Sequence, residues 1–536
     1  MFATDRAHKL TTLTITCVGF FMVLLDASIV TVALPTIQSS LHADLSGLQW
    51  VVNAYTLPFA VLLLTAGTLG DRFGRKRVFL AGVMIFTAGS ALCWLAPSLG
   101  WLIAGRVIQG AGGAALAPGS LAVLAAAFTD QRERTQAIGI SSGVSGIGIA
   151  AGPLVGGALI QAGGWQAIFF VNVPIGLVVF LSGARLLAES RNPQARRLDL
   201  PGQALAIAAL TALTYALIQG QELGWGSPLI VGLFVAASVL LVAFILTEAR
   251  QPEPLLPLGF FRSRVFAVAN VSAAVVGFAL LGTVFFVTQF FQEVQGYSAL
   301  ESGIRSLPNT AGIFIVAPLA GRMTARYGPR IPVTLGALLA GCALLLLTRL
   351  DATTPYASIW WNLLMLGIGF GLMLSPITAA VLDATPPNRA GLASSVVGAS
   401  RQIGSVFGVA LLGALVVGQF ADRLMSGFAA LGFPSNLSRN IANTVASSGA
   451  SAGAHMAPLL RHSPVHVTPT AVHDAIGQAF TQALHPGFVV SGLALLVVAL
   501  LSATWLGRST QALRSPQMDK PTALAKGMAS VSTEMG

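Results

Sequence analysis

Gly67-Thr68-Leu69-Gly70-Asp71-Arg72-Phe73-Gly74-Arg75-Lys76-Arg77 is a short basic turn between two long apolar runs. Four cationic side chains within positions 72–77 cannot enter hydrocarbon, so the turn has to lie at a membrane face. The bias of Lys and Arg toward the cytoplasmic side makes that face the inner one. Gly67 and Gly70 allow helix backbones to approach closely, as small residues do in membrane bundles. Asp71 among the cations points to a local ion-pair network. A plain membrane-flanking loop would account for Arg75, Lys76 and Arg77, but not for the glycine spacing or for Asp71.

The rest of the chain agrees with a membrane protein. Hydrophobic residues make up 54% of the 536 and charged residues 9%, and the mean hydropathy is +0.77. A soluble chain would carry roughly a quarter charged residues. The net charge of +11 does not indicate nucleic-acid binding, because the cations sit in short loops between apolar runs, where topology explains them. Cys17, Cys93 and Cys342 each lie inside an apolar run, with no spacing that suggests a disulfide or a metal site. No cleavable signal peptide is evident; the first apolar run reads as a retained helix.

Runs of roughly 20 apolar residues, the length of one span, predict fourteen helices: 11–34, 50–70, 78–96, 101–125, 136–160, 167–187, 200–219, 228–247, 265–291, 304–323, 331–348, 357–381, 395–418 and 487–507. With the N-terminus inside, Arg132, Arg134, Arg191, Arg196, Arg197, Arg250, Arg262, Arg264, Arg326, Arg330, Arg389, Arg508, Arg514, Lys520 and Lys526 all fall in inner segments. Among the short outer loops only Arg305 and Arg349 break the pattern. An error of one helix would reverse it halfway, so an even count follows. Gly321-Arg322 through Tyr327-Gly328-Pro329-Arg330 repeats the opening turn in degraded form, with Ala325 in place of the acid. Parallel halves with two helices inserted between them explain the echo.

The turn at 67–77 resembles the signature loop of the major facilitator superfamily, G-x-L-x-D-R-x-G-R-(R/K), and every fixed position is met. The resemblance implies an all-α integral membrane fold of two six-helix bundles plus two extra central helices. It divides the chain into a tail (1–10), an N-terminal bundle (11–187), two inserted helices with their loops (188–264), a C-terminal bundle (265–507, with an outer loop at 420–486) and a second tail (508–536). Both termini are then cytoplasmic, in the cell inner (plasma) membrane. It also implies that Gly67, Gly70, Asp71, Arg72, Gly74 and Arg75 latch the two halves together.

Asp26 lies in mid-span, where a carboxylate is costly and function is the default reading; the alternative is an acid held structurally by a neighbouring helix. Burial disfavours its charged form, which lets such a group bind and release protons. Asparagine there should fold and mimic the protonated acid without releasing a proton. Arg106, in the fourth span, needs acceptors and is the natural partner, although helix carbonyls could serve it. The surroundings of Asp26 resemble the first-helix motif of the 14-helix drug:proton antiporters, and Arg106-Val107-Ile108-Gln109-Gly110-Ala111-Gly112 resembles their R-x-x-Q-G-x-G motif. Members couple transport to protons through these two charges.

Gly148, Gly152, Pro153, Gly156 and Gly157 read as a packing face with a bend. They also resemble the antiporter motif of exporters. Trp165 with the stretch from Ile168 to Pro174 matches the family's next segment, with Gln166 where an arginine is usual. Asn53, Tyr55, Gln109, Asn172, Gln289 and Arg401 could line a substrate cavity or act as interhelical glue. His455, His462, His466, His473 and His485 are loop histidines without a cysteine or acid cluster, so no metal site is expected. No glycine-rich phosphate loop with a lysine occurs, so ATP drive is not expected. No clustered catalytic groups indicate an enzyme.

The resulting expectation is a cofactor-free secondary exporter driven by the proton gradient. Its partners are the lipid bilayer, protons and small lipophilic substrates, with a periplasmic adaptor where the host has an outer membrane. A dedicated exporter of one metabolite or self-made antibiotic is the alternative. With Asp26 the only acid clearly at membrane depth, neutral or singly charged substrates are expected over dications.

Overall fold

Hydrocarbon offers no water to backbone N–H and C=O groups, so each spanning segment has to satisfy its own, and helices do this within one segment. The computed structural model describes residues 2–191, 198–386, 389–434, 438–439 and 469–507. Arg196, Arg197, His455, His462, His466, Arg508, Arg514, Lys520 and Lys526 lie outside the described residues. The helices are α1 Phe2–Leu41, α2 Leu45–Phe73, α3 Arg75–Trp94, α4 Leu99–Ala127, α5 Gln131–Gly163, a single turn α6 Ala167–Phe170 continued by α7 Asn172–Leu186, α8 Leu200–Leu223, α9 Pro228–Arg250, α10 Arg264–Gln289, α11 Ala299–Tyr327, α12 Arg330–Leu347, α13 Trp360–Asp383, α14 Ala390–Ala430 and α15 Pro469–Trp505. No strand occurs among the described residues.

Thirteen of these units are long and apolar enough to cross a membrane. The fourteenth, α11, is long enough, but it carries Glu301, Arg305, Arg322 and Arg326 and two internal prolines. Taking α6 and α7 as one span, the fold has two six-helix bundles, α1–α7 and α10–α15, with α8 and α9 added.

Several of the few acidic residues mark where helices begin. Asp44 accepts from Gly47 N at 2.7 Å, Asp130 from the amides of Arg132 and Glu133 at 3.0 and 2.9 Å, and Asp199 from Gly202 N at 2.9 Å. Each thereby satisfies an otherwise orphaned donor of the first turn. Ser298 and Glu301 form a reciprocal capping box at the start of α11.

The inserted pair lies against α2 and α14. Gln203 of α8 donates to the Val61 carbonyl of α2 at 3.1 Å and pairs with Thr65. Leu57 and Val61 of α2, Val406 of α14, and Ala206 and Leu210 of α8 form one apolar cluster. Helix α9 is buried along little of its length and keeps an apolar outer face.

The helices at either side of 420–486 run further than the sequence periodicity indicates. Helix α14 continues to Ala430 and α15 begins at Pro469. Packing explains the extension: the Phe420 and Phe480 rings meet edge-on with centroids 5.5 Å apart, and Leu424, Phe428, Val472 and Ile476 are buried beside them. These ends are amphipathic and too polar to span, so a hydropathy reading stops short of them.

On the face opposite the basic turn, the two bundles approach backbone to backbone through α5 and α11. A Cβ at Gly157 of α5 would strike the backbone of Leu300 in α11, and one at Gly303 would strike the Pro153 carbonyl. Further along, a Cβ at Gly146 of α5 would meet the Phe314 ring of α11, whereas one at Gly139, Gly143 or Gly321, nearer the basic face, would meet nothing within 4 Å.

Candidate functional site

Glycines on α4 set the site. A Cβ at Gly112 would meet the backbone of Phe86 in α3, and one at Gly110 the Tyr55 carbonyl of α2. Only glycine permits approaches this close. They hold α4 against α2 and α3, and its Arg106 and Gln109 reach Asp26 of α1.

Asp26 is fully buried and Arg106 is 1% exposed. Arg106 Nη1 lies 2.6 Å from Asp26 Oδ2. Gln109 Nε2 and Asn172 Nδ2 donate to Asp26 Oδ1 at 3.0 and 2.9 Å. The carboxylate therefore accepts three hydrogen bonds, one charge-assisted. Arg106 Nε also donates to the Val51 carbonyl at 3.1 Å, and its Nη1 to Gln109 Oε1 at 2.9 Å. Gln109 Nε2 lies 2.7 Å from Ser90 Oγ. The Tyr55 ring lies under the guanidinium at 4.2 Å and the Phe169 ring at 5.8 Å, and the Tyr55 hydroxyl donates to the Val23 carbonyl at 3.4 Å.

Three residues considered for a substrate cavity, Tyr55, Gln109 and Asn172, thus surround the charge pair. Asn172 reaches it from the α6–α7 span, whose backbone stays helical through Val171. Asn53 and Gln289 are buried on α2 and α10, and both amide atoms of Asn53 and the Nε2 of Gln289 lack partners. Arg401 is half-buried on α14. Ser90 and the Val51 carbonyl could not be found from sequence, because a serine in an apolar run or one backbone oxygen carries no signal of its own.

The glycines of α5 divide between two neighbours. Gly148, Gly152 and Gly156 pack on Phe21, Ser28 and Ile29 of α1, within one bundle. Gly157 and the Pro153 carbonyl face α11, across the bundles.

The basic turn is built differently from a simple anion–cation patch. Arg75 Nε and Nη2 donate to Asp71 Oδ1 at 3.0 and 2.9 Å. Gly74 has φ +111°, and a Cβ there would strike the Glu189 carboxylate. Glu189 accepts from the Lys76 and Arg77 amides at 3.1 and 3.3 Å, and the Ser190 carbonyl accepts from Arg75 N at 2.8 Å. Glu189 therefore caps α3 from the loop after α7, a role that only the fold shows. Among the described residues, the hydrogen bonds of positions 67–77 outside the helices go to N-terminal-half partners. A Cβ at Gly67 would meet nothing within 4 Å and one at Gly70 only Arg75, and the Arg72 guanidinium lies 5.7 Å from the Phe73 ring centroid. In the echo, Gly328 keeps a positive φ of +79° while Arg326 stacks on Tyr327. Replacing Glu189 with alanine should destabilise the protein by about 1 kcal/mol, the scale of a lost helix cap. Thermal unfolding in detergent reads this; an unchanged transition would mean that water caps α3 equally well.

His485 lies 2.9 Å from the Leu350 carbonyl, and the described residues contain no group of three metal-ligating side chains.

Known proteins match along nearly the whole chain. "Multidrug resistance protein Stp" of Mycobacterium tuberculosis is 37% identical over 518 residues, 96% of each chain. The "Tetracenomycin C resistance and export protein" of Streptomyces glaucescens is 37% identical over 80% of each. A crystal structure of a bacterial homolog to the human lysosomal transporter Spinster, inward-facing and occupied, superposes with a TM-score of 0.62 at 18% identity, covering 91% of this chain and 95% of that one. The sequence model described as Major Facilitator Superfamily matches residues 16–409, and this chain belongs to that superfamily of membrane transporters.

Proposed function

We propose that this protein is a secondary exporter that expels small lipophilic compounds in exchange for protons. The observation that carries the reading is the Asp26–Arg106 pair, buried at 2.6 Å inside the N-terminal bundle. A buried pair of this kind is a weak contributor to stability, so its presence calls for another use. A proton and the Arg106 guanidinium compete for the same Asp26 oxygen. Protonation of Oδ2 leaves a neutral acid that no longer neutralises Arg106, and deprotonation restores the pair. The Gln109 and Asn172 amides hold the carboxyl in place in either state. Helix α4, which carries Arg106, would transmit the change, and the α5–α11 contact on the face opposite the turn would close or open around the substrate.

Export rather than uptake is supported by the multidrug-resistance and export names of the relatives. The name of the tetracenomycin C relative equally favours a dedicated exporter of one antibiotic. Proteoliposomes loaded with a dye panel test the proposal. Efflux should rise with an imposed proton gradient and collapse with an uncoupler, and gradient-independent efflux would reject it.

Placement in the plasma membrane with the basic turn and both termini cytoplasmic belongs to the same proposal. A cysteine replacing Thr353 should react with an impermeant thiol reagent added to whole cells, and one replacing Ser190 should not. The reverse pattern would invert the topology.

A further inference from the structure

Arg401 is a cation at membrane depth with no described counter-charge. It lies eleven residues into α14, which begins at Ala390. That is about 16 Å along the helix axis at 1.5 Å per residue, near the middle of a hydrocarbon core about 30 Å thick. Its side chain has no ion pair, hydrogen bond or aromatic partner among the described residues, and it is half-buried. The helices packed on α14 carry no acid at this depth: Glu222 of α8, Asp383 of α13 and Asp474 of α15 all lie near helix ends. Helix α10 has no carboxylate at all between Arg264 and Gln289. The only acids of α2 and α14, Asp71 and Asp422, lie near the far ends of those helices.

The glycines of α14 show which way Arg401 points. Gly404 and Gly408 approach the Ala274 and Phe278 carbonyls of α10. Gly398 approaches Leu63, and Gly413 approaches Gln49, both of α2 in the other bundle. Helical residues advance about 100° each, so Arg401 falls about 60° from Gly398 and about 60° from Gly404. It falls about 20° from Gly408, and its own carbonyl packs on Gly277 of α10, so it lies at the edge of the α10-facing side that is nearest α2. On the facing helix, four residues from Gln49, the Asn53 amide is fully buried with neither polar atom partnered.

A lone guanidinium at this depth is costly without an acceptor. Its planar fork suits a carboxylate, and charge-assisted hydrogen bonds of that kind are the strong ones. Asp26 does not serve here: it is engaged by Arg106, Gln109 and Asn172 inside the N-terminal bundle. We propose that Arg401 is the recognition point for an acidic group on the transported compound, so that the preferred substrates are amphipathic monoanions. This deepens the exporter reading and rests on it.

The test uses full-length protein in detergent with two probes of one scaffold, 1-pyrenebutyric acid and 1-pyrenebutyramide, measured by equilibrium dialysis against protein-free micelles. Wild type should bind the acid about tenfold or more tightly than the amide, the scale of one charge-assisted contact. In Arg401→Gln that preference should collapse toward equality, and in Arg401→Lys it should be intermediate, because lysine keeps the charge and loses the fork. Equal binding of the two probes by wild type, binding of neither, or an undiminished preference in Arg401→Gln would overturn the proposal. Proteoliposome export separates this from the broader reading. Uncoupler-sensitive export of the amide without preference for the acid would sink the Arg401 proposal alone. Absence of gradient-driven export of any dye or either probe by wild type would sink the exporter reading with it.

Discussion

Asp26→Asn should abolish gradient-driven export and also destabilise the protein. Asparagine mimics the protonated acid but cannot release a proton, so the competition between proton and Arg106 ends. Seen from sequence alone the substitution is a neutral replacement that folds normally. The 2.6 Å contact with a 1%-exposed Arg106 adds a second effect. Removing the carboxylate charge strands a buried guanidinium, and breaking a buried pair from one side costs about 3–5 kcal/mol. Arg106→Gln should fail similarly, stranding Asp26 instead. The double variant Asp26→Asn/Arg106→Gln removes both charges and should regain most of the lost stability without regaining transport. Thermal unfolding and uncoupler-sensitive efflux, read on all three, separate the two roles. Concentrative export by the asparagine variant would remove Asp26 from the coupling mechanism. No recovery of stability in the double variant would mean that the surrounding hydrogen bonds, and not charge pairing, dominate the site.

Gly157→Val should stop transport by holding the bundles apart, with only a modest loss of stability. Any Cβ at Gly157 meets the Leu300 backbone, which cannot swing aside as a side chain could. The strain falls between bundles, where a rigid separation relieves it. Gly152→Val is the control. Its Cβ would strike Ser28 of α1 inside the N-terminal bundle, where overpacking costs about 1–3 kcal/mol and has no hinge to relieve it. The first variant should therefore fold and fail to cycle, and the second should lower the unfolding temperature. A cysteine at Ser302, fully buried in the parent, should become reactive to a water-soluble thiol reagent in the Gly157→Val background, above the signal of the three native cysteines. Unchanged protection of that site with transport lost would mean that the contact matters for something other than closure.

The order of spans was legible in the sequence because it follows from local chemistry. An apolar run of sufficient length has to be helical in hydrocarbon, and Lys and Arg have to leave it. Asp26 and Arg106 stood out for the same reason, as charges in stretches that exclude them. Their pairing was expected from the sequence, and the structure places them 2.6 Å apart; the amides that join them were not legible. Gln109 and Asn172 looked like any polar residue of a membrane helix, and only the packing of α1, α4 and α7 brings both amides onto one carboxylate. The glycines of α5 form one pattern in sequence and two surfaces in space, because helical phase turns Gly157 toward α11 and Gly152 toward α1. The extensions of α14 and α15 were hidden because their stability comes from each other, through contacts such as Phe420 on Phe480, across a separation that no local window spans. Local physics decides which residues leave water. Tertiary structure decides which of them meet, because that depends on the approach of helices distant in sequence.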